Sequence, residues 1–443
     1  MAKPKLALIP AAQGDKFYSV LPSDGVGDFD FTRASTGTRI APTGLIEEVA
    51  SGDSRLNYDL LNGKVVNCPH YLLEPASTNQ ILYSSDFTNA SWTKGSNIVV
   101  ESSAETSPDG SLNASKFTNV GTSSVFVFQL TTGATSSVWT SSVFVKKGTN
   151  KYFGVSITSF GISNSRYQPV YNLEDGTIQA INTSGTNITN ASNSITQYPN
   201  GWYKVTITAT FAGGADQCYI VLQNTNNTDY NPTSGTLDWQ NASLGNIYAF
   251  GAQLEAGSYP TSYIPTNGTA ITRAAETADG SGDAATFNDS EGVLMAEISA
   301  LADDGSTRVI SLSGGSQSSN NLYLNLNNSG GLSCQVLTSG GNITLGIANI
   351  NQTDNNKIAI KYKASDYSLF LNGFEIDTDT SLNTTPIGLD RLNFDFGSGS
   401  FDFYGKTREV QYFNSVLTDA QLETLTSWTS LQEMITSQLY TNY

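Results

Sequence analysis

Between Gly201 and Phe211 apolar and polar residues alternate, with Trp202, Lys204, Thr206, Thr208 and Thr210 on one side and Tyr203, Val205, Ile207, Ala209 and Phe211 on the other. A period of two is the signature of a strand with one face on a core. Similar short runs recur at Lys16–Leu21, Ser137–Lys146, Lys151–Thr158 and Gln217–Gln223. After a polar passage they resume at Val293–Ile298, Arg308–Leu312, Leu322–Leu326, Lys357–Tyr362, Tyr367–Leu371 and Lys406–Phe413. Asn372-Gly373 between two such runs predicts a type I′ hairpin. Turn signals at this spacing predict sandwiches or jelly rolls and argue against βαβ units.

The pattern breaks in two places. The stretch 251–266 begins with strand chemistry, but Pro260 and Pro265 lack a backbone donor, so it reads as the closing strand of one sandwich and the exit toward the next. Near the C-terminus, Thr418 with Gln421 predicts a capping box flanked by Leu417 and Leu422 as a hydrophobic staple. A second short helix is expected from Ser430 onward, with Leu431, Met434, Ile435 and Leu439 at helical spacing.

At 443 residues the chain exceeds one ordinary core. The reading divides it into an N-terminal section 1–80, a first sandwich 81–266, a linker 267–285, a second sandwich 286–427 and a helical tail 428–443. The expected fold class is all-β, two tandem β-sandwiches with an extended N-terminal section. Only 14% of residues are charged, and 21 Tyr and 20 Phe set the chain apart from a disordered one. The net charge of −17 argues against nucleic acid as a partner. It suits calcium, although solvated surface charge explains most acidic side chains. Cys68, Cys218 and Cys334 lie too far apart for a disulfide framework or a C-x-x-C site. The first ten residues carry too short an apolar run for a signal peptide, and no run is long enough for a membrane span.

Three groups of residues carry a family resemblance. They are Phe31-Thr-Arg-Ala-Ser-Thr36 with Gly44-Leu-Ile-Glu47, Leu72-Leu-Glu-Pro-Ala-Ser-Thr-Asn79 with Tyr83–Phe87 and Trp92-Thr-Lys94, and Gly251–Pro265. Together they resemble tailed-bacteriophage virion proteins of the fibre type, in which a carbohydrate-binding-module-like jelly roll precedes a laminin-G/concanavalin-like domain. Leu369–Gly373 and Gly405–Asn414 with Leu417–Leu422 are similar to the end of a laminin-G-like sandwich. The resemblance implies a non-enzymatic fibre or adhesin, located in the virion, that presents glycan-binding sandwiches to the host surface. Residues 1–80 would attach it to other virion proteins, and a homotrimer would multiply weak sites by avidity. A purely structural capsid-decoration or tail component is the alternative, and a polysaccharide depolymerase the third reading. Folds of this kind host many functions, so the ligand has to be argued from residues.

Candidate chemistry is sparse. Glu375, Asp377 and Asp379 alternate as in the acidic strand of concanavalin-like glycosidases, whose two carboxylates share a cleft. Their place after a hairpin turn fits a solvated strand face better. His70, the only histidine, stands near Cys68, but no orienting acid or oxyanion loop is evident nearby, and no residue is assigned a catalytic role. A sugar needs a flat apolar face with polar groups around it. Tyr167, Tyr230 and Trp239, in Asn-rich passages, are the candidate ligand residues, whereas Trp92 and Trp202 read as core. Asp86 and Glu255 are the candidate Ca2+ ligands, on the expectation that first and last strands pair. Asp303 with Asp304, and Asp395 with Asp402, are alternatives.

Overall fold

The computed structural model describes residues 3–132, 137–160, 165–212, 217–225, 244–314 and 320–428. The alternation at 201–211 becomes the strand Trp202–Phe211. Its Tyr203, Val205, Ile207, Ala209 and Phe211 face the core of the first sandwich. That sandwich has two six-stranded antiparallel sheets. One runs in the order Ile98–Thr106, Leu112–Asn119, Gly245–Ala256, Val138–Lys147, Trp202–Phe211, Ile188–Gln197. The other runs Thr177–Ser184, Ser165–Asn172, Tyr152–Phe160, Gln217–Thr225, Phe126–Thr132, Thr93–Lys94. Gly245–Ala256 lies inside the first sheet, with Leu112–Asn119 on one side and Val138–Lys147 on the other. It stops at Ala256, ahead of Pro260, as the missing proline donor requires.

The second sandwich is assembled from both ends of the chain. Its larger sheet has eleven strands, and Gly405–Phe413 lies between Glu291–Ala300 and Leu6–Gln13. Lys16–Leu21, Phe29–Thr32 and Thr277–Asp279 continue that sheet outward. Lys64–Leu73 also pairs with Gly405–Phe413. A five-stranded sheet in the order Gly341–Ile347, Leu332–Thr338, Asn321–Leu326, Arg308–Ser313, Arg391–Asn393 closes the other side. Leu6, Leu8, Phe17, Phe29 and Tyr71 share one core with Leu294, Ile310, Leu324 and Tyr412.

Two divisions of the chain are corrected by these pairings. Five strands from residues 1–80 join the large sheet of the second sandwich, where their short apolar runs find backbone partners and a core, while Gly37–Ile40 pairs with Ile46–Val49 in a small sheet of its own. The passage 267–285 is likewise not a plain linker, since Thr277–Asp279 pairs with Phe29–Thr32. The jelly roll is thus inserted between two parts of one sandwich. Its entry and exit are tied together: Ser77–Asn79 pairs with Ile271–Arg273, and Tyr83 bridges to Asn267.

Several local readings hold. Asn372 (φ 50°) and Gly373 (φ 91°) both adopt the left-handed conformation that a type I′ turn demands. The helix Asp419–Thr426 begins at Thr418 with both halves of the capping box formed. Leu417 and Leu422 pack with Val293, Met295, Phe370 and Phe413 on the outer face of the large sheet. The helix expected from Ser430 falls outside the described residues.

Candidate functional site

One residue from each of the three motif groups, Arg33, Glu74 and Ser262, belongs to a single buried cluster at the seam between the sandwiches. Arg33 donates to Glu276 Oε1 at 2.7 Å. Arg55 donates from Nε to Glu276 Oε1 at 2.8 Å and from Nη2 to Glu74 Oε2 at 2.8 Å. Arg273 also pairs with Glu74. Ser262, from the Pro260–Pro265 exit, donates its N–H to Glu74 Oε1 at 2.8 Å and its hydroxyl to Oε2 at 2.6 Å. These five charged side chains are at most 4% exposed. Burial disfavours the charge on Arg55, but Glu276 and Glu74 outweigh it and raise its pKa. Burial likewise opposes the Glu74 carboxylate, yet Arg273 and Arg55 bring its pKa down to about 2. Ions removed from water are tolerated only when paired and hydrogen-bonded this fully. With every carboxylate oxygen occupied, the cluster acts as a clamp between the sandwiches.

Beside the clamp are two cavities of about 400 Å3 each, which share Tyr259 and Thr261. The first is walled by Arg39, Phe144, Tyr198, Lys204, Tyr263 and Lys406. The second is lined by Tyr259, Asp304, Arg308, Phe401, Asp402 and Tyr404. Phe401 is 56% exposed. It sits at φ 59°, a conformation that costs a bulky side chain on the order of 1–3 kcal/mol. Tyr404 Oη donates to Asp402 Oδ2 at 2.8 Å. Arg308 is fixed by Asp304 Oδ1 at 2.8 Å and by the Tyr404 carbonyl at 3.0 Å. Aromatic faces with oriented carboxylates and a guanidinium between them suit a sugar ring, whose C–H face is apolar and whose rim is hydroxyl.

The residues singled out from sequence lie elsewhere. Tyr167 is in strand Ser165–Asn172, 8% exposed, in the core of the jelly roll, and its hydroxyl takes a bond from Asn193 at 2.6 Å. Its ring is part of the core rather than the exposed face a ligand residue requires. Tyr230 and Trp239 fall outside the described residues. Glu255 is 1% exposed, and its oxygens accept from Ser77, Gln253 and Thr261. Asp86 caps its own turn, accepting from Thr88 N at 3.0 Å. The chain before Asp86 runs antiparallel to Gly245–Ala256: Gln80 bonds Leu254, Ser84 bonds Ala252, and Ser85 meets Ser115, which faces Ala249. That direction carries Asp86 away from Glu255, so the two do not form the expected calcium pair. Among the described residues no group of three or more His, Cys, Asp or Glu side chains is placed to hold a metal.

His70, Asp377, Asp379 and Asp395 are engaged within the fold. His70 is fully buried, with Nε2 at 3.2 Å from Asn57 Nδ2 and Nδ1 at 3.6 Å from Asp59 Oδ2. Burial depresses its pKa to about 3 despite Asp59. Asp377 accepts from Gly346 N at 2.9 Å, tying the edge strand Phe374–Asp379 to the opposite sheet, and Asp379 caps Ser381 at 2.7 Å. Asp395 accepts from the Gly397 and Gly399 amides. Tyr259, Phe401 and Tyr404 went unnoticed in the sequence. A phenylalanine directly after Gly397-Ser-Gly-Ser400, where turn residues prevail, was the available signal.

No protein-family model matches the chain, and no curated protein does. Among solved structures, the carbohydrate-binding module CBM40 of a Ruminococcus gnavus IT-sialidase is 20% identical over 34% of this chain and 94% of its own, with a TM-score of 0.29. Mouse laminin α1 domains LG4-5 are 9% identical over 86% of this chain and 97% of their own, with a TM-score of 0.24. A putative carbohydrate binding protein from Bacteroides ovatus is 10% identical over 67% and 78%, with a TM-score of 0.20. Superpositions this weak leave the functional reading to rest on the chain's own residues.

Proposed function

We propose that this chain is a non-enzymatic glycan-binding component of a tailed-phage virion, a fibre or adhesin that holds host-surface sugar in the seam groove. The observation that carries the sugar reading is Phe401, exposed and at positive φ, beside Tyr404 and Tyr259 with Asp402, Asp304 and Arg308 around them. An aromatic ring kept in a strained, solvated position is better explained by a ligand than by packing. The virion assignment rests on the resemblance of the three motif groups. Attachment to other virion proteins would use the outer face of strands Leu6–Gln13 and Lys16–Leu21, where Ile9, Tyr18 and Val20 are 44%, 40% and 44% exposed. Homotrimers would raise the effective affinity of weak sites.

Glycan-array binding by the wild-type chain, lost in Tyr404→Ala with the fold intact, is the expected result. Binding to no glycan would overturn the adhesin and leave the structural virion component. One observation favours that second reading: Arg33, Glu74 and Ser262, one from each family-like motif group, are spent on the buried clamp. Antibody labelling of particles separates the two by location.

A further inference from the structure

The first seam cavity, in a chain of net charge −17, carries three basic side chains, Arg39, Lys204 and Lys406, and one acidic one, Glu74. Lys204 projects into it from the face of Trp202–Phe211 opposite the jelly-roll core. Its ammonium donates to the Thr261 carbonyl at 3.2 Å and lies 5.8 Å from the centre of the Phe144 ring. No ion pair joins it among the described residues. Arg39 and Lys406, also on the wall, are paired with Glu47 and Asp59. The carboxylate on the cavity wall, Glu74, is already engaged by Arg55, Arg273 and Ser262. Burial lowers the pKa of Lys204, Glu255 and then Glu74 oppose that shift, and Glu255 is itself held by Ser77, Gln253 and Thr261. An ammonium has three donors, and one is used here.

We infer that this cavity takes the carboxylate-bearing residue of an acidic glycan, with Lys204 Nζ as its anion contact. The inference rests on the glycan reading of the seam and deepens it by naming the sugar class. A volume of about 400 Å3 lies within the range of about 300–1,000 Å3 found for small-molecule sites. Phe144, Tyr198 and Tyr263 give the recess an apolar wall for the ring carbons. A charge-assisted bond to Nζ would be strong there, because the recess is partly screened from water. Tyr259 and Thr261 border both cavities, which places the second, with Phe401 and Tyr404, next to the first.

The test uses the full chain and a tetrasaccharide of alternating glucuronic acid and N-acetylglucosamine, compared by calorimetry with its carboxyl-reduced form. The acid form is expected to bind at least about tenfold more tightly, a difference of ~1.4 kcal/mol. Lys204→Met should erase that preference while leaving affinity for the reduced form, and Lys204→Arg should keep it. Equal binding of the two forms by the wild-type chain, or an undiminished preference in a folded Lys204→Met chain, overturns the inference while leaving sugar binding intact. Failure of both forms, and of every glycan on the array, defeats the glycan reading itself. Should Lys204→Met not fold, the wild-type comparison and Lys204→Arg still decide.

Discussion

Arg33 and Glu276 stand 243 positions apart in the chain and meet at 2.7 Å, with neither side chain touching solvent. Glu276 also accepts from Arg55 and from the Glu74 backbone N–H, so one carboxylate organises groups from three separated segments. Removing it would leave the buried Arg33 guanidinium without a carboxylate and Arg55 with Glu74 alone. Breaking one side of a buried ion cluster costs about 3–5 kcal/mol. Glu276→Ala is therefore expected to lower the chemical denaturation midpoint steeply, and Glu276→Asp to lower it less. An unchanged midpoint in Glu276→Ala would show that the clamp contributes little.

Phe401 offers a trade between stability and binding. Glycine adopts φ 59° without a Cβ penalty, so Phe401→Gly should relieve about 1 kcal/mol of backbone strain. Its ring is largely exposed, so little burial is lost in exchange. The expected outcome is an equal or higher melting temperature together with several-fold weaker glycan binding. A clear fall in melting temperature would mean that the ring is needed for packing.

Acid should destabilise the protein in two stages. An unfolded histidine titrates near 6.5, whereas His70 in the fold is held near 3 by burial. Its contribution is complete above pH 6.5 and is lost as pH falls toward 3, at up to ~1.4 kcal/mol per pH unit. Glu74, held down to about 2, adds a second loss as pH drops below about 4.5. Asp279 works the other way, since burial, then Asp395 and Asp402, lift its pKa from 3.8 to about 6. Its contribution is greatest below 3.8 and is lost as pH rises through 6. Stability measured from pH 7 to 4.5 should therefore fall more gently in His70→Gln and more steeply in Asp279→Asn. Slopes matching wild type in both variants would refute this assignment.

The C-terminal helix gives a graded packing test. Leu422 is fully buried against the outer face of the large sheet, so Leu422→Ala should cost about 2–5 kcal/mol. Thr418→Ala removes only one half of a capping box and should cost about 1 kcal/mol. Hydrogen exchange should show the second change confined to residues 419–426, whereas the first should also loosen Glu291–Ala300.

Strands were legible where information is local. Alternation placed Lys16–Leu21 and Trp202–Phe211 almost to the residue, and Asn372-Gly373 fixed its turn through backbone preference alone. The pairing of Leu6–Gln13 with Gly405–Phe413 was not legible, because no local signal records a partner some 400 positions away. The same holds for charge. Arg33, Glu74 and Arg273 read as ordinary polar residues until the fold brings them to one dry point. Tyr167 reads as a ligand candidate because its passage is polar and Asn-rich, whereas in the fold its polar neighbours Arg166 and Gln168 are themselves buried. Glu255 reads as a metal ligand because no local signal reveals that Ser77 and Thr261 occupy its oxygens.

A nascent chain meets an unusual delay because Leu6–Gln13 pairs with Gly405–Phe413. At about 5–20 residues per second, the first strand waits roughly 20–80 s on the ribosome before its neighbour exists. The inserted jelly roll can complete itself in that interval, and its joined entry and exit then hold the two outer portions within reach. Order of synthesis thus becomes part of how the molecule reaches its native state.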